Sequence, residues 1–312
     1  MKKRRLVGLG MAAALVMTGC GNNATNQNDV VKQEETSSME TLTDEKQSSQ
    51  EGDTDSMDEN KTYEVVVEEL IITEGEKEIY GKIYKPQGEG KYPTIIMSHG
   101  YNGCNTDFVN ECNYYAKNGY VAYTFDFSGG STRSKSKGSS TDMTIFTEKE
   151  DLLVVFNYIK NMDIVDKDNI FLFGGSQGGL VTALAAEECK DEVKGMALYF
   201  PAFNIPENWR TNYPTEESIP EKVDFWGLML GENFFKSMRD FYVFDNVGDF
   251  DKNVLIIQGD NDAIVPMTYA HRAEEHYANA ELVVLKGEGH GFTPVGGKTA
   301  MERVLQFMKE QQ

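Results

Sequence analysis

The chain has 312 residues, with 50 acidic against 30 basic side chains, a formal net charge of −20 and 40% hydrophobic residues. So acidic a chain is a poor partner for the polyanionic backbone of nucleic acid or for an anionic membrane surface. Its length allows one domain with a sizeable core and leaves residues over for other segments.

The chain opens with Met1-Lys-Lys-Arg-Arg5, an apolar run from Leu6 to Met17, and Thr18-Gly19-Cys20. A basic start, a short apolar run and small residues read as a secretory signal over residues 1–19. The run is too short for a permanent span. The cysteine after Thr-Gly resembles the lipobox of bacterial lipoproteins. That resemblance implies lipid on Cys20, membrane contact through that lipid alone, and a location facing outside the cell. Residues 21 to 60 hold eleven acidic and two basic side chains and no aromatic. With Cys20 they read as a disordered acidic tether, leaving residues 61–312 for the folded domain.

Tyr63 to Ile72 and Lys77 to Tyr84 read as two strands of an antiparallel hairpin turning at Glu74-Gly75. Thr94 to Met97 is a continuously apolar strand, as in a sheet covered on both faces. A helix over Val109 to Lys117, a strand over Tyr120 to Phe125 and a long helix over Met143 to Met162 follow. Ile170 to Phe173 is a strand, and Leu180 to Ala186 a helix. Strands are expected over Val193 to Phe200, Val254 to Ile257 and Leu282 to Leu285, with helices over Tyr269 to Tyr277 and Lys298 to Lys309. Strands alternating with helices predict an α/β fold, a mostly parallel twisted sheet with helices on both faces.

Residues 201–250 are longer than a crossover needs. They hold eleven aromatic residues, including both tryptophans. Some must pack an extra layer; the functional reading is a small lid over an apolar pocket, with Trp209, Phe225 and Trp226 as substrate-binding candidates. Beyond Cys20 the cysteines are Cys104, Cys112 and Cys189. They lack zinc spacing, and a Cys104–Cys112 bridge and reduced thiols are both open.

The chemistry centres on Phe173-Gly-Gly-Ser-Gln-Gly-Gly179. A strand, Gly-x-Ser-x-Gly and a helix form the nucleophile-elbow pattern, with Ser176 at the sharp turn. Small neighbours let the strained turn close, and the helix N-terminus favours a developing oxyanion. A serine hydroxyl needs a base. His290, in Gly287-Glu-Gly-His-Gly-Phe292 after the last strand, is that base, whereas His271 and His276 sit in a helix among charged residues. The base needs a carboxylate. Asp262 is chosen because Ala-Ile-Val-Pro266 turns its loop back to the sheet, while Asp260 braces the turn. The oxyanion donors are the backbone amides of Gln177 and, from the loop after the third strand, Tyr101; His99 is structural.

His99 to Gly103, Asp126 to Gly130, Asp142 to Phe146, Gly174 to Gly179, Gly259 to Pro266 and Gly289 to Phe292 together resemble the α/β-hydrolases. Within them, residues 64–310 are most similar to cinnamoyl (feruloyl) esterases and dienelactone-hydrolase-like enzymes. Gly175 stands where that branch usually has histidine, and residues 201–250 match it least. The resemblance implies a serine carboxylic-ester hydrolase acting on small or hydroxycinnamoyl-type esters, with no metal or cofactor. Peptidases and acyl-thioesterases share the scaffold. A non-catalytic ligand-binding lipoprotein would lack a member of the Ser-Asp-His set, and none is missing. Oligomeric state is not legible.

Overall fold

In the computed structural model, which describes residues 61–312, the strands put alternate side chains into two separate cores. Strand β3 (Tyr92–Ser98) sends Ile95 and Met97 to one face and Ile96 to the other; β5 (Val165–Gly175) splits Phe171 and Phe173 from Leu172 in the same way. Continuous apolar runs are required here because helices cover both faces. The signal segment, Cys20 and the tether expected from the sequence lie outside the described residues.

The main sheet has eight strands. A hairpin of β1 (Val65–Glu74) and β2 (Lys77–Pro86) forms one antiparallel edge. Strand β2 pairs antiparallel with β4 (Val121–Phe125). From there the sheet runs parallel through β3, β5, β6 (Gly195–Tyr199), β9 (Asn253–Gly259) and β10 (Ala280–Leu285). Chain order reverses between β3 and β5, and the crevice at such a reversal is where α/β sheets place their ligands.

Helices α1 (Val109–Lys117) and α7 (Pro294–Glu310) bury Tyr115, Val304 and Met308 against one face. Helices α2 (Ile145–Ile159), α3 (Gln177–Glu188) and α6 (Met267–His276) cover the other. Helix α3 starts at Gln177, earlier than expected. Gly178 and Gly179 are poor helix formers, but each lies so close to other backbone, at His99 and Pro201, that a side chain would collide. Helix α7 likewise begins at Pro294, capped by the Thr293 hydroxyl.

The 201–250 insertion forms α4 (Ile205–Asn212), a hairpin of β7 (Lys222–Phe225) and β8 (Leu228–Gly231), and α5 (Glu232–Met238). Phe203, Phe234, Phe235 and Phe250 are fully buried, so part of its aromatic content fills core. Cys104 and Cys112 are not bridged. Their sulfurs serve different neighbours, Thr106 for the first and Met97 for the second, because α1 turns Cys112 toward the sheet. No helix among the described residues is long and apolar enough to cross a membrane.

Candidate active site

Ser176 caps α3 with φ 54° and ψ −120°, a backbone region costly for a non-glycine residue. What holds it there is packing without side chains. A Cβ on Gly174 would collide with the Gly178 carbonyl, and one on Gly178 with the His99 carbonyl. The elbow is also pinned by its own backbone, since the Ser176 amide donates to Tyr199 O at 2.9 Å.

His290 follows β10, and its Nε2 lies 3.0 Å from Ser176 Oγ. Its Nδ1 lies 2.8 Å from Asp262 Oδ2. With the proton on Nδ1 donated to the carboxylate, Nε2 is free to accept from the serine hydroxyl. The Phe200 ring, itself at φ 37°, packs 4.5 Å from the imidazole. Asp262 is fully occupied: Oδ2 also accepts from Gln258 Nε2 at 2.8 Å, and Oδ1 accepts from the amides of Ile264 and Val265 at 2.8 and 2.9 Å. Burial works to raise its pKa, but the bonds from His290, Val265 and Ile264 outweigh it and hold the carboxyl below its ordinary value. Asp260 instead accepts from the Gly287 amide at 2.6 Å, bracing the adjacent loop.

The loop after β3 approaches the elbow closely. A Cβ on Gly100 would stand 3.1 Å from Ser176 Cβ. Tyr101 follows, inside a turn closed by the Gly103 amide donating to Gly100 O at 3.0 Å. Gln177 opens α3, where amides have no intrahelical partner. His99 is fully buried and touches no reacting group: Nε2 accepts from the Phe127 amide at 3.1 Å, so the proton sits on Nδ1 and is donated to Gly100 O at 2.7 Å. Burial holds this imidazole below its ordinary pKa.

Two clefts meet at Ser176. One, of about 300 Å³, lies under the insertion and is lined by Trp209, Phe225, Trp226 and the amide side chains of α4. The other, of about 340 Å³, lies on the His290 side and is lined by Phe108, Glu111, Phe200 and Phe292. Trp226, 64% exposed, borders both. Among the described residues no group of three or more His, Cys, Asp or Glu could hold a metal ion.

Sequence reasoning missed Glu148. It is buried on α2, and its Oε2 accepts from Gln177 Nε2 at 2.8 Å, directly behind the elbow. The signal was present: Glu148 interrupts the apolar stripe Ile145, Leu152, Val155, Ile159.

Sheet, flanking helices and serine elbow together are those of an α/β-hydrolase of the serine-hydrolase type. The chain belongs to the Prolyl oligopeptidase family (Peptidase_S9), which it matches over residues 106–312. It is similar in structure to Est1E from Butyrivibrio proteoclasticus with ferulic acid bound (30% identity, TM-score 0.71, covering 78% of this chain and 98% of that one). In sequence it is similar to a caffeoylshikimate esterase of Arabidopsis thaliana (30% identical over 143 residues, 44% of this chain and 40% of the relative). It also resembles the acetyl esterase Axe7A of Xylanibacter ruminicola (24% identical over 136 residues, 37% of this chain and 31% of the relative). The chain spans 31–42% of the length of such curated relatives.

Proposed function

We propose that the protein is a serine carboxylic-ester hydrolase with Ser176 as nucleophile, His290 as general base and Asp262 as the carboxylate that orients it. The observation that carries this reading is the continuous chain from Ser176 Oγ through His290 to Asp262, at 3.0 and 2.8 Å. His290 takes the serine proton as Oγ attacks the ester carbonyl, and the Asp262 carboxylate stabilises the imidazolium. The Tyr101 and Gln177 backbone amides hold the oxyanion. His290 then protonates the leaving alcohol, and water deacylates the enzyme by the same route.

The direction of proton return orients the substrate. His290 lines only one of the two clefts, so the alcohol leaves on that side and the acyl group lies under the insertion. The aromatic lining there, and the ferulic acid bound to Est1E, favour a hydroxycinnamoyl-type acyl group.

Turnover of p-nitrophenyl acetate and methyl ferulate by wild type and Ser176→Ala tests the reading. The expected loss is about 10³-fold or more in the variant; equal rates would end it. The family match favours a second reading, a peptidase on the same scaffold; a panel of matched esters, amides and thioesters separates the two. We further propose that lipid on Cys20 anchors the protein outside the cytoplasm. Cys20→Ser should then move it from the membrane fraction to the soluble one.

A further inference from the structure

The cleft on the His290 side carries a charge that its own walls do not answer. Two carboxylates line it, Asp107 and Glu111, and no lysine or arginine does. Asp107 is paired: Arg133 Nη2 lies 3.3 Å from its Oδ1, and the Cys104 amide donates to its Oδ2 at 3.2 Å. Glu111 has no lysine or arginine within ion-pair distance among the described residues. It stands in the first turn of α1, where its carboxylate accepts from its own backbone amide. Burial outweighs that bond and holds the carboxyl above its ordinary pKa. The side chain is half-buried, so it is partly desolvated yet still open to the cleft. A desolvated anion without a cation is costly, and a ligand that brings the cation removes the cost.

The remaining walls suit an organic cation. The rings of Phe200 and Phe292 pack edge to face at 4.8 Å, and the exposed Trp226 borders the same space. Phe200 and Phe292 hold φ at 37° and 41°. That backbone region is costly for bulky side chains, and strain of this kind collects at ligand sites. Aromatic faces attract a cation beyond ordinary apolar contact. The formal net charge of −20 also draws cations and repels anions at longer range.

We propose that this cleft is a leaving-group subsite for an alcohol bearing an organic ammonium group, with Glu111 as the residue that sets its charge specificity. The ammonium packs against the rings of Phe200, Phe292 and Trp226, and Glu111 supplies the opposite charge. The ester oxygen stays beside His290, which returns the proton to it as its bond to the acyl carbon breaks. The space of about 340 Å³ is that of a small-molecule pocket. An alcohol carrying a carboxylate meets Glu111 as a like charge and is rejected. A neutral one leaves Glu111 unpaired.

The inference rests on the esterase reading for the role of the cleft, so its test is kept apart from turnover. Three alcohols of similar size are titrated into the Ser176→Ala protein in mildly alkaline, low-salt buffer, with binding read by calorimetry. They are choline, neohexanol (a tert-butyl group in place of the trimethylammonium) and the carboxylate-bearing hydroxypivalate. Choline should bind about two- to tenfold more tightly than neohexanol, and hydroxypivalate most weakly. Glu111→Gln keeps the size of the side chain and an acceptor for the backbone amide, and should bring the choline-to-neohexanol ratio to one or below. If that variant fails to fold, the order of the three alcohols in the Ser176→Ala protein decides alone. No binding of choline, equal or tighter binding of either other alcohol, or a preference that survives Glu111→Gln would overturn the proposal. Hydrolysis of p-nitrophenyl acetate by the wild type separately decides whether the esterase reading stands.

Discussion

The Tyr101 hydroxyl donates a 2.7 Å hydrogen bond to the Phe225 carbonyl, joining the loop after β3 to the tip of the β7–β8 hairpin. Asn102, at φ 53°, reinforces the tie by donating from Nδ2 to Trp226 O at 3.3 Å. The rings of Phe225 and Trp226 pack on Tyr101 at 5.3 and 6.3 Å. The loop carrying one proposed oxyanion donor and the wall shared by both clefts are thus one mechanical unit. Burial pushes the Tyr101 phenol above its ordinary pKa, so it stays a donor at working pH.

Tyr101→Phe keeps the ring and the backbone amide and removes only the bond. A neutral hydrogen bond of this kind contributes about 1 kcal/mol, so thermal unfolding should shift down by about 2–4 °C. The loss in kcat/KM should be larger for methyl ferulate than for p-nitrophenyl acetate, because only the larger acyl group depends on the hairpin. An unaltered melting temperature and an unaltered ratio would mean that ring packing alone holds the hairpin.

Glu148 predicts a pH dependence. Burial pushes its carboxyl from the ordinary 4.5 up to about 8, with Asp151 adding to the shift and the Gln177 bond opposing it. Asp151 is itself paired with Lys77 and accepts from the Ser128 amide. Between the two values the folded chain keeps a proton that the unfolded chain has released, and stability falls as pH rises. The contribution is whole below about pH 4.5 and lost as pH rises through about 8. Glu148→Gln removes this titration while preserving an acceptor for Gln177. Urea midpoints measured from about pH 5 to about pH 9 should therefore fall more for wild type than for the variant; parallel curves would place the proton elsewhere.

What could be read beforehand follows from which forces act locally. The elbow was legible because close backbone approach demands glycine at positions 174 and 178, two residues either side of Ser176, and the apolar strands because both faces of the sheet are covered. The β7–β8 hairpin was hidden. Its strands have four residues each, and its turn uses Trp226 at φ 48° before Gly227 at φ 81°, where asparagine and glycine would have announced it. The early start of α3 was hidden by two glycines, poor helix formers that are needed there because a side chain would collide with Ser98, His99 and Pro201. The Asn204 side-chain bond was hidden because its partner, the Ile264 carbonyl, lies 60 positions along the chain.

The glycine before Ser176 can be tested through its neighbour. A Cβ on Gly175 would stand 2.8 Å from Phe108 Cζ, and that ring is wedged edge-on against Phe173 at 4.9 Å. Phe108 therefore fills the volume that a histidine, usual here in the esterases this chain resembles, would need. Gly175→His alone should overpack the site and cost about 1–3 kcal/mol. Phe108→Ala alone should destabilise by leaving a cavity. Combined, the two changes should cost less than their sum, with a coupling of about 1 kcal/mol or more in a double-mutant cycle followed by urea unfolding. Strict additivity would mean that the ring and position 175 do not compete for one space, and the glycine would then need another physical cause.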